Sequence, residues 1–145
     1  MQQFIEFATN HWDLFLALLI ILLMLSGTNL ISVIRGIKQI SPAEATQLIN
    51  HQGGIVIDVR EDKEFAEGHI INSLHIPMGS VQQRIAEIEK YKQKPVIVSC
   101  RSGARSGTVC GWLRKHNFEN VSNLKGGVMA WQNASLPLSK NGRKK

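Results

Sequence analysis

The chain has 145 residues, which allows one domain of ordinary size and a short additional segment, but not two domains. Its 17 Lys and Arg residues outnumber its 11 Asp and Glu residues, and its two cysteines are too few for a disulfide framework. Residues 1–34 contain no Lys or Arg, so the positive charge is concentrated later in the chain. We interpret this pattern as a signal of membrane topology and expect no nucleic-acid partner.

The first predicted element is a hydrophobic helix near the N-terminus. Residues 14–25 are an unbroken apolar run of 12 residues, which is too short as a helix for a bilayer core of about 30 Å. Residues 12–34 give 23 residues and roughly 34 Å, with Trp12 at an interfacial position. We predict a transmembrane helix over 12–34, after an extracytoplasmic segment at 1–11. A cleaved signal peptide and a soluble amphipathic helix are the alternatives.

The distribution of basic residues predicts which side of the membrane the rest of the chain occupies. Arg35 and Lys38 follow the hydrophobic segment directly, and cytoplasmic loops carry the excess of Lys and Arg. We therefore expect a single-pass protein of the cell inner membrane with a cytoplasmic C-terminal domain. The basic tail at 139–145 is interpreted as a solvated end, with binding to anionic lipid as the alternative.

After a predicted linker at 35–40, residues 41–138 are expected to form an α/β domain. Strands and helices alternate along this stretch, and the central sheet is predicted to be mainly parallel and flanked by helices. The apolar segments IVIDV (55–59) and PVIVS (95–99) are typical of strands buried on both faces. Other strands are expected at 73–76 and 121–124. Helices are expected from a capping box at Ser41–Glu44 to about Asn50, at 61–67, along Val81, Ile85 and Ile88, at 104–116 and at 128–132.

The chemistry is expected where the buried strands end, because ligands of parallel sheets bind beyond the carboxyl ends of the strands. Cys100 follows one such strand, and the sequence CRSGARSG continues it with a turn and a helix start. Such a turn can aim main-chain N–H groups inward as an anion site and lower the thiol pKa, helped by Arg101 and Arg105. Cys110 is instead interpreted as a core residue.

The residues from about 40 to 138 resemble the rhodanese domain family. The resemblance is carried by IDVREDKEFAEGHI (57–70), HIP (75–77), VIVSCRSGARS (96–106) and LKGGVMAW (124–131). The anchored arrangement also resembles a small group of bacterial single-pass membrane rhodaneses. The chain departs from the family pattern at Asn72 and Ser73, where Gly and Ala are frequent, but Asn tolerates a left-handed conformation.

The resemblance implies a thiosulfate sulfurtransferase that moves sulfane sulfur from a thiosulfate-like anion through a Cys100 persulfide to a thiol or cyanide acceptor. By position, Cys100 matches the nucleophile, and Asp58 and Arg60 match the rim of the pocket, where Asp58 is expected to brace the loop through a salt bridge. Glu64 and His69 match structural positions. The anion-binding loop that this alignment implies comprises Arg101, Ser102, Gly103, Ala104 and Arg105. No metal is expected, since the histidines and cysteines lack ligand spacing, and no organic cofactor is expected, since the implied sulfur transfer does not need one.

Two other functions fit parts of the pattern. A cysteine-based phosphatase or arsenate reductase places five residues between its Cys and Arg, whereas four separate Cys100 from Arg105. The shorter loop favours a single sulfur atom over a phosphoryl group. The second alternative is a membrane-tethered docking or redox-sensing module with little physiological turnover, and the sequence does not distinguish this from an enzyme.

Overall fold

The structure is a computed structural model that describes residues 12–22 and 36–140. The chain divides into two compact units, Met1–Arg35 and Gly36–Lys145, and each is described by itself. In the first unit, residues 12–22 are helical and their large apolar side chains are exposed. Within the described part of the chain, no helix is both long and apolar enough to cross a membrane. The transmembrane helix predicted over 12–34 is therefore not found there, and its residues 23–34 lie outside the described residues.

The second unit alternates strands and helices. The strands are β1 (Lys38–Ile40), β2 (Ile55–Asp58), β3 (His69–Ile70), β4 (Leu74–His75), β5 (Val96–Ser99), β6 (Val121–Leu124) and β7 (Leu138–Ser139). The helices are α1 (Pro42–Gln52), α2 (Asp62–Glu67), α3 (Ala104–Lys115) and α4 (Gly127–Asn133). Two 3-10 segments, Met78–Ser80 and Ile85–Tyr91, lie between β4 and β5.

Five strands form one sheet in the order β1-β6-β5-β2-β4, and each neighbouring pair is parallel. β3 and β7 form a separate antiparallel pair. The α/β class with a mainly parallel central sheet and flanking helices is confirmed. Because β5 is the middle strand, the residue that follows it, Cys100, lies at the centre of the carboxyl edge of the sheet.

The middle strand, β5, is buried on both faces, which explains why its sequence lacks polar alternation. Val96, Ile97 and Val98 are each at most 1% exposed, although successive side chains of a strand point to opposite faces. Val98 packs with residues of α3 on one face, and Ile97 packs with Ala45 of α1 and Trp131 of α4 on the other. Helices on both faces therefore require an unbroken apolar strand.

Helix α1 begins as the sequence predicts. The Ser41 hydroxyl accepts a hydrogen bond from the Glu44 main-chain N–H at 3.3 Å, and the Glu44 carboxylate accepts one from the Ser41 N–H at 2.7 Å. This capping box satisfies two N–H groups that have no partner inside the helix. At its other end α1 stops at Gly53, whose φ of 63° is left-handed.

Three short strands were not predicted, and the predicted linker at 35–40 is wrong over its second half. Lys38–Ile40 form β1, which pairs with β6, and Ile40 is fully buried. β3 and β7 were also missed, so Ser139 belongs to a strand and not to the tail. Strands of two or three residues are too short to show the alternation from which a strand is recognised. Residues 141–145 of the predicted tail lie outside the described residues.

The helix predicted along Val81, Ile85 and Ile88 is replaced by the second 3-10 segment and the turn before it. Val81 and Ile88 are each 1% exposed, so the apolar positions were correctly identified as core. Spacings of three and four residues bury one face of either kind of helix, and hydrophobic periodicity alone does not distinguish them. At the Asn72 turn, the φ of 61° is the left-handed conformation that asparagine was expected to adopt.

Candidate active site

Cys100 is positioned by the turn that links β5 to α3. Gly103, at the start of α3, has a φ of 96°, which an L residue with a side chain rarely adopts. Its main-chain N–H donates a hydrogen bond to the Cys100 Sγ at 3.1 Å. A Cβ at Gly103 would lie 3.2 Å from the Leu124 carbonyl oxygen, so the turn also packs tightly against the end of β6.

The pKa of the Cys100 thiol is lowered from its ordinary value. Cys100 is only 1% exposed, and this burial raises the pKa. Hydrogen bonds to the sulfur lower the pKa by more than burial raises it. They come from the Ser106 hydroxyl and from the main-chain N–H groups of Ser106, Ser102 and Gly103. The direction agrees with the sequence-based expectation, but the leading favourable cause is hydrogen bonding, not the side-chain charges of Arg101 and Arg105.

The predicted loop residues take different positions. Arg101 and Ser102 lie in the exposed bend, and Ala104 is the exposed first residue of α3. Arg105 pairs with a carboxylate of the protein itself. Its two Nη atoms each donate a hydrogen bond to the Glu64 carboxylate at 2.8 Å. The hydrogen bond from Arg105 holds the pKa of Glu64 at about 2, despite the opposing effect of burial. Arg105 and Glu64 therefore clamp α3 to α2.

The N-terminal end of α4 holds the other side of the loop. The Val128 N–H donates to the Cys100 carbonyl at 2.8 Å, and the Met129 N–H donates to the Arg101 carbonyl at 3.2 Å. With these carbonyl groups bonded to α4, the following N–H groups remain available to the sulfur. Gly127 makes this contact possible, because a Cβ there would overlap the Cys100 carbonyl oxygen.

Asp58 and Arg60 form a buried pair beside the loop. Asp58 is fully buried, and its carboxylate accepts hydrogen bonds from Nε and Nη2 of Arg60 at 3.0 and 2.7 Å. Arg60 Nη2 also donates to the Gly68 carbonyl at 2.7 Å, and His75 Nε2 donates to the Arg60 carbonyl at 2.8 Å. These contacts favour the bracing interpretation of Asp58, whose carboxylate is occupied by Arg60.

A cavity of about 250 Å³ opens next to this pair and to the exposed side of the loop. Two arginines, Arg60 and Arg101, contribute positive charge to its lining, and Met129 contributes an exposed apolar side chain. Its remaining lining residues are Glu64, Glu67, Gly68, Val128 and Gln132. The lining of this cavity beside the loop therefore combines two arginines with two carboxylates, Glu64 and Glu67.

The second cysteine is chemically different from the first. Cys110 is fully buried in the core on α3, and burial raises the pKa of its thiol well above the ordinary value. Both cysteines are free thiols. Among the described residues, no group of three or more His, Cys, Asp or Glu side chains is arranged to hold a metal ion.

Sequence reasoning missed the residues that complete the surroundings of the sulfur. The predicted loop ended at Arg105, although Ser106, one residue later, places its Oγ 3.3 Å from Cys100 Sγ. Asn123 on β6 accepts a hydrogen bond from Ser106 at 2.6 Å, and Gly127 seats α4 on the loop. Ser106 and Gly127 lie in segments that carry the family resemblance, VIVSCRSGARS and LKGGVMAW, whereas no local pattern connects Asn123 with Cys100.

The chain is similar to known proteins in sequence and in fold. The family profile described as "Rhodanese-like domain" matches residues 41–134. The chain is similar to the uncharacterized protein YibN of Escherichia coli strain K12, with 34% identity over 95% of this chain and 97% of YibN. It is 36% identical to the thiosulfate sulfurtransferase GlpE of Coxiella burnetii over 66% of this chain and 87% of GlpE. A crystal structure of a rhodanese-related protein from Thermoplasma volcanium matches with a TM-score of 0.65 and 27% identity, covering 72% and 99% of the two chains.

Proposed function

Because this chain belongs to the rhodanese-like sulfurtransferase family, we propose that it moves sulfane sulfur from a thiosulfate-like donor through a persulfide on Cys100 to a thiol or cyanide acceptor. Hydrogen-bond donors around Cys100 Sγ support this proposal. The Gly103 N–H lies at 3.1 Å from the sulfur and the Ser106 hydroxyl at 3.3 Å. The lowered pKa increases, at any given pH, the fraction of Cys100 that is thiolate, which is the nucleophilic form.

The proposed first step needs no acid or base once Cys100 is ionised. The thiolate attacks the outer sulfur of thiosulfate, a new sulfur–sulfur bond forms, and the old one breaks with its electron pair leaving on sulfite. The negative charge then resides on the outer sulfur of the persulfide. The main-chain N–H groups of the turn supply fixed donors to this charge. An acceptor thiolate or cyanide removes that sulfur and regenerates the Cys100 thiolate.

Arg101 is proposed to attract the donor anion and to guide sulfite away, because it lines the cavity beside the loop and, unlike Arg60, is not paired with Asp58. Arg101 is exposed, so its contribution is screened by solvent and salt. We expect Arg101→Gln to raise the KM for thiosulfate about two- to fivefold at low salt, and by less at high salt. Lys94→Gln is the matched control, since it also removes one positive charge but Lys94 lies just before the start of β5, at the end of the strand away from Cys100. An unchanged KM in Arg101→Gln would contradict this role.

The activity is tested by thiocyanate formation from thiosulfate and cyanide. Cys100→Ser is expected to abolish turnover, because an alkoxide at that position would be far too basic to form near neutral pH. Cys110→Ser is the control that removes the buried thiol and leaves the proposed nucleophile. Turnover that persists in Cys100→Ser, or that disappears only in Cys110→Ser, would contradict the assignment.

We also propose that the N-terminal segment tethers the chain to the cell inner membrane as a single-pass anchor with the C-terminal domain in the cytoplasm. Support comes from the apolar run 14–25 and from the first basic residues, which follow the segment. Fractionation of cells that express the full chain tests this. We expect the chain in the membrane fraction after alkaline extraction, and Leu18→Arg with Leu19→Arg should release it. Recovery of the unaltered chain in the soluble fraction would contradict the tether.

A further inference from the structure

The Asn123 side chain lies behind the active sulfur, with its amide orientation determined by its neighbours. It is 4% exposed, and its Nδ2 donates to the Gly103 carbonyl and to Gln39 Oε1, both at 2.9 Å. A main-chain carbonyl is only an acceptor, so the atom that faces Gly103 must be the nitrogen. Asn123 Oδ1 therefore faces Ser106, at 2.6 Å from the Ser106 Oγ. The Ser106 hydroxyl must be the donor in this contact.

The same hydroxyl lies 3.3 Å from Cys100 Sγ, but it carries one hydrogen. It cannot make full hydrogen bonds to Asn123 Oδ1 and to the sulfur at the same time. While Cys100 is a thiol, its own S–H can donate to Ser106 Oγ and leave the hydroxyl hydrogen with Asn123. Once Cys100 is a thiolate, the sulfur can only accept, and the hydroxyl hydrogen is drawn towards it.

We propose that Asn123 competes with the Cys100 sulfur for the hydroxyl hydrogen of Ser106, and that this hydrogen changes partner as the charge on the sulfur changes. Turning the hydroxyl to the thiolate leaves Asn123 Oδ1, which is buried, without this donor. Asn123 therefore opposes ionisation of Cys100. It is a positioning residue, since it acts on the sulfur through Ser106.

The competition also affects the sulfur-transfer cycle, an inference that rests on the proposed function. In the persulfide the negative charge lies on the outer sulfur, so Sγ is a weaker acceptor than in the thiolate. The Ser106 hydrogen then returns to Asn123, while main-chain N–H groups remain with the outer sulfur. Asn123 thus favours the loaded state of Cys100 over the empty thiolate.

The other charged and titratable groups near the sulfur do not take part in the exchange. Arg105 acts on Cys100 through its charge and is bonded to Glu64 of α2. Cys110, on α3, remains a protonated thiol. The Gly103 carbonyl also accepts a hydrogen bond from the Gly107 N–H at 3.2 Å, so the start of α3 stays held when Asn123 is replaced. Substitution of Asn123 therefore tests the hydroxyl more than the turn.

The rate of alkylation of Cys100 as a function of pH tests the competition, with Cys110→Ser as the common background. Ser106→Ala removes the hydroxyl donor but keeps the main-chain N–H, so the thiolate fraction at a pH below the midpoint should fall about tenfold. Asn123→Leu removes the competing acceptor, so that fraction should rise about threefold. The double variant should behave like Ser106→Ala, because Asn123 has no effect without the hydroxyl. Gln39→Leu removes only the far contact of Asn123 and should leave the profile unchanged.

A fall in the thiolate fraction with Asn123→Leu would overturn the proposal, as would an Asn123 effect that persists in Ser106→Ala. If leucine at 123 prevents folding, as judged by the thermal transition, Asn123→Ala replaces it with the same expected direction. An unchanged profile in a folded Asn123 variant also counts against the proposal. Alkylation does not require sulfur transfer, so this outcome is separate from failure of the proposed enzyme activity.

Discussion

Gly127 has a larger structural role than its size indicates. It is the point at which α4 contacts the carbonyl groups of Cys100 and Arg101, and its φ of 58° is left-handed. A side chain there would meet main-chain atoms, which cannot move aside as the end of a flexible side chain can. The conformation of the loop that holds the sulfur therefore depends on a residue without a side chain, against which the Cys100 and Arg101 main chain packs.

We predict that Gly127→Ala lowers the free energy of unfolding by about 1–3 kcal/mol and removes most of the activity, because the clash displaces the Cys100 carbonyl. Urea denaturation and thiocyanate formation measure the two effects. Gly79→Ala is the control: nothing lies within 4 Å of a Cβ at that position. Wild-type activity in Gly127→Ala would show that the close approach of α4 to the loop is not needed.

The site depends on contacts between helices that are far apart in sequence. The Glu64 and Arg105 side chains join α2 to α3 and are 26% and 34% exposed. Water reaches both groups, so their interaction contributes less than its geometry alone would indicate. The clamp nevertheless connects the loop after β5 to the helix after β2.

The Glu64–Arg105 clamp makes part of the free energy of unfolding dependent on pH. The pKa of Glu64 is lowered in the folded state from 4.5 to about 2, so its contribution is present above pH 4.5 and is lost as the pH falls towards 2. We expect Glu64→Gln to cost about 1 kcal/mol at pH 7 after allowance for solvent screening, and less at pH 3. Urea denaturation at both pH values measures this. Glu87→Gln removes a comparable but exposed ion pair and should show a smaller difference. An equal cost for Glu64→Gln at both pH values would contradict the clamp.

The capping box of α1 gives a test at a distance from the chemistry. Ser41→Ala removes the acceptor of the Glu44 N–H and should lower the free energy of unfolding by about 1 kcal/mol. The activity per folded molecule should not change, since no residue of the box lies among those around Cys100. Thermal denaturation and the thiocyanate assay separate the two quantities. A loss of activity in the folded variant would mean that α1 influences the site.

Across the chain, the sequence predicts those features that depend on residues close together in sequence. The buried strands β2 and β5, the cap at Ser41 and the position of Cys100 each depend on a few neighbouring residues. The ladder between β1 and β6, the Glu64–Arg105 clamp and the Ser106–Asn123 bond each join parts of the chain that no local pattern connects. These contacts come from tertiary packing, and they supply much of the environment of the sulfur.

Intact-mass analysis after incubation with thiosulfate measures whether Cys100 carries sulfur. We expect the full chain to gain the mass of one sulfur atom, to lose it on addition of cyanide, and to gain nothing as Cys100→Ser. A chain that gains no sulfur under conditions in which Cys100 is alkylated readily, or that gains it equally as Cys100→Ser, would show that Cys100 is not the sulfur carrier.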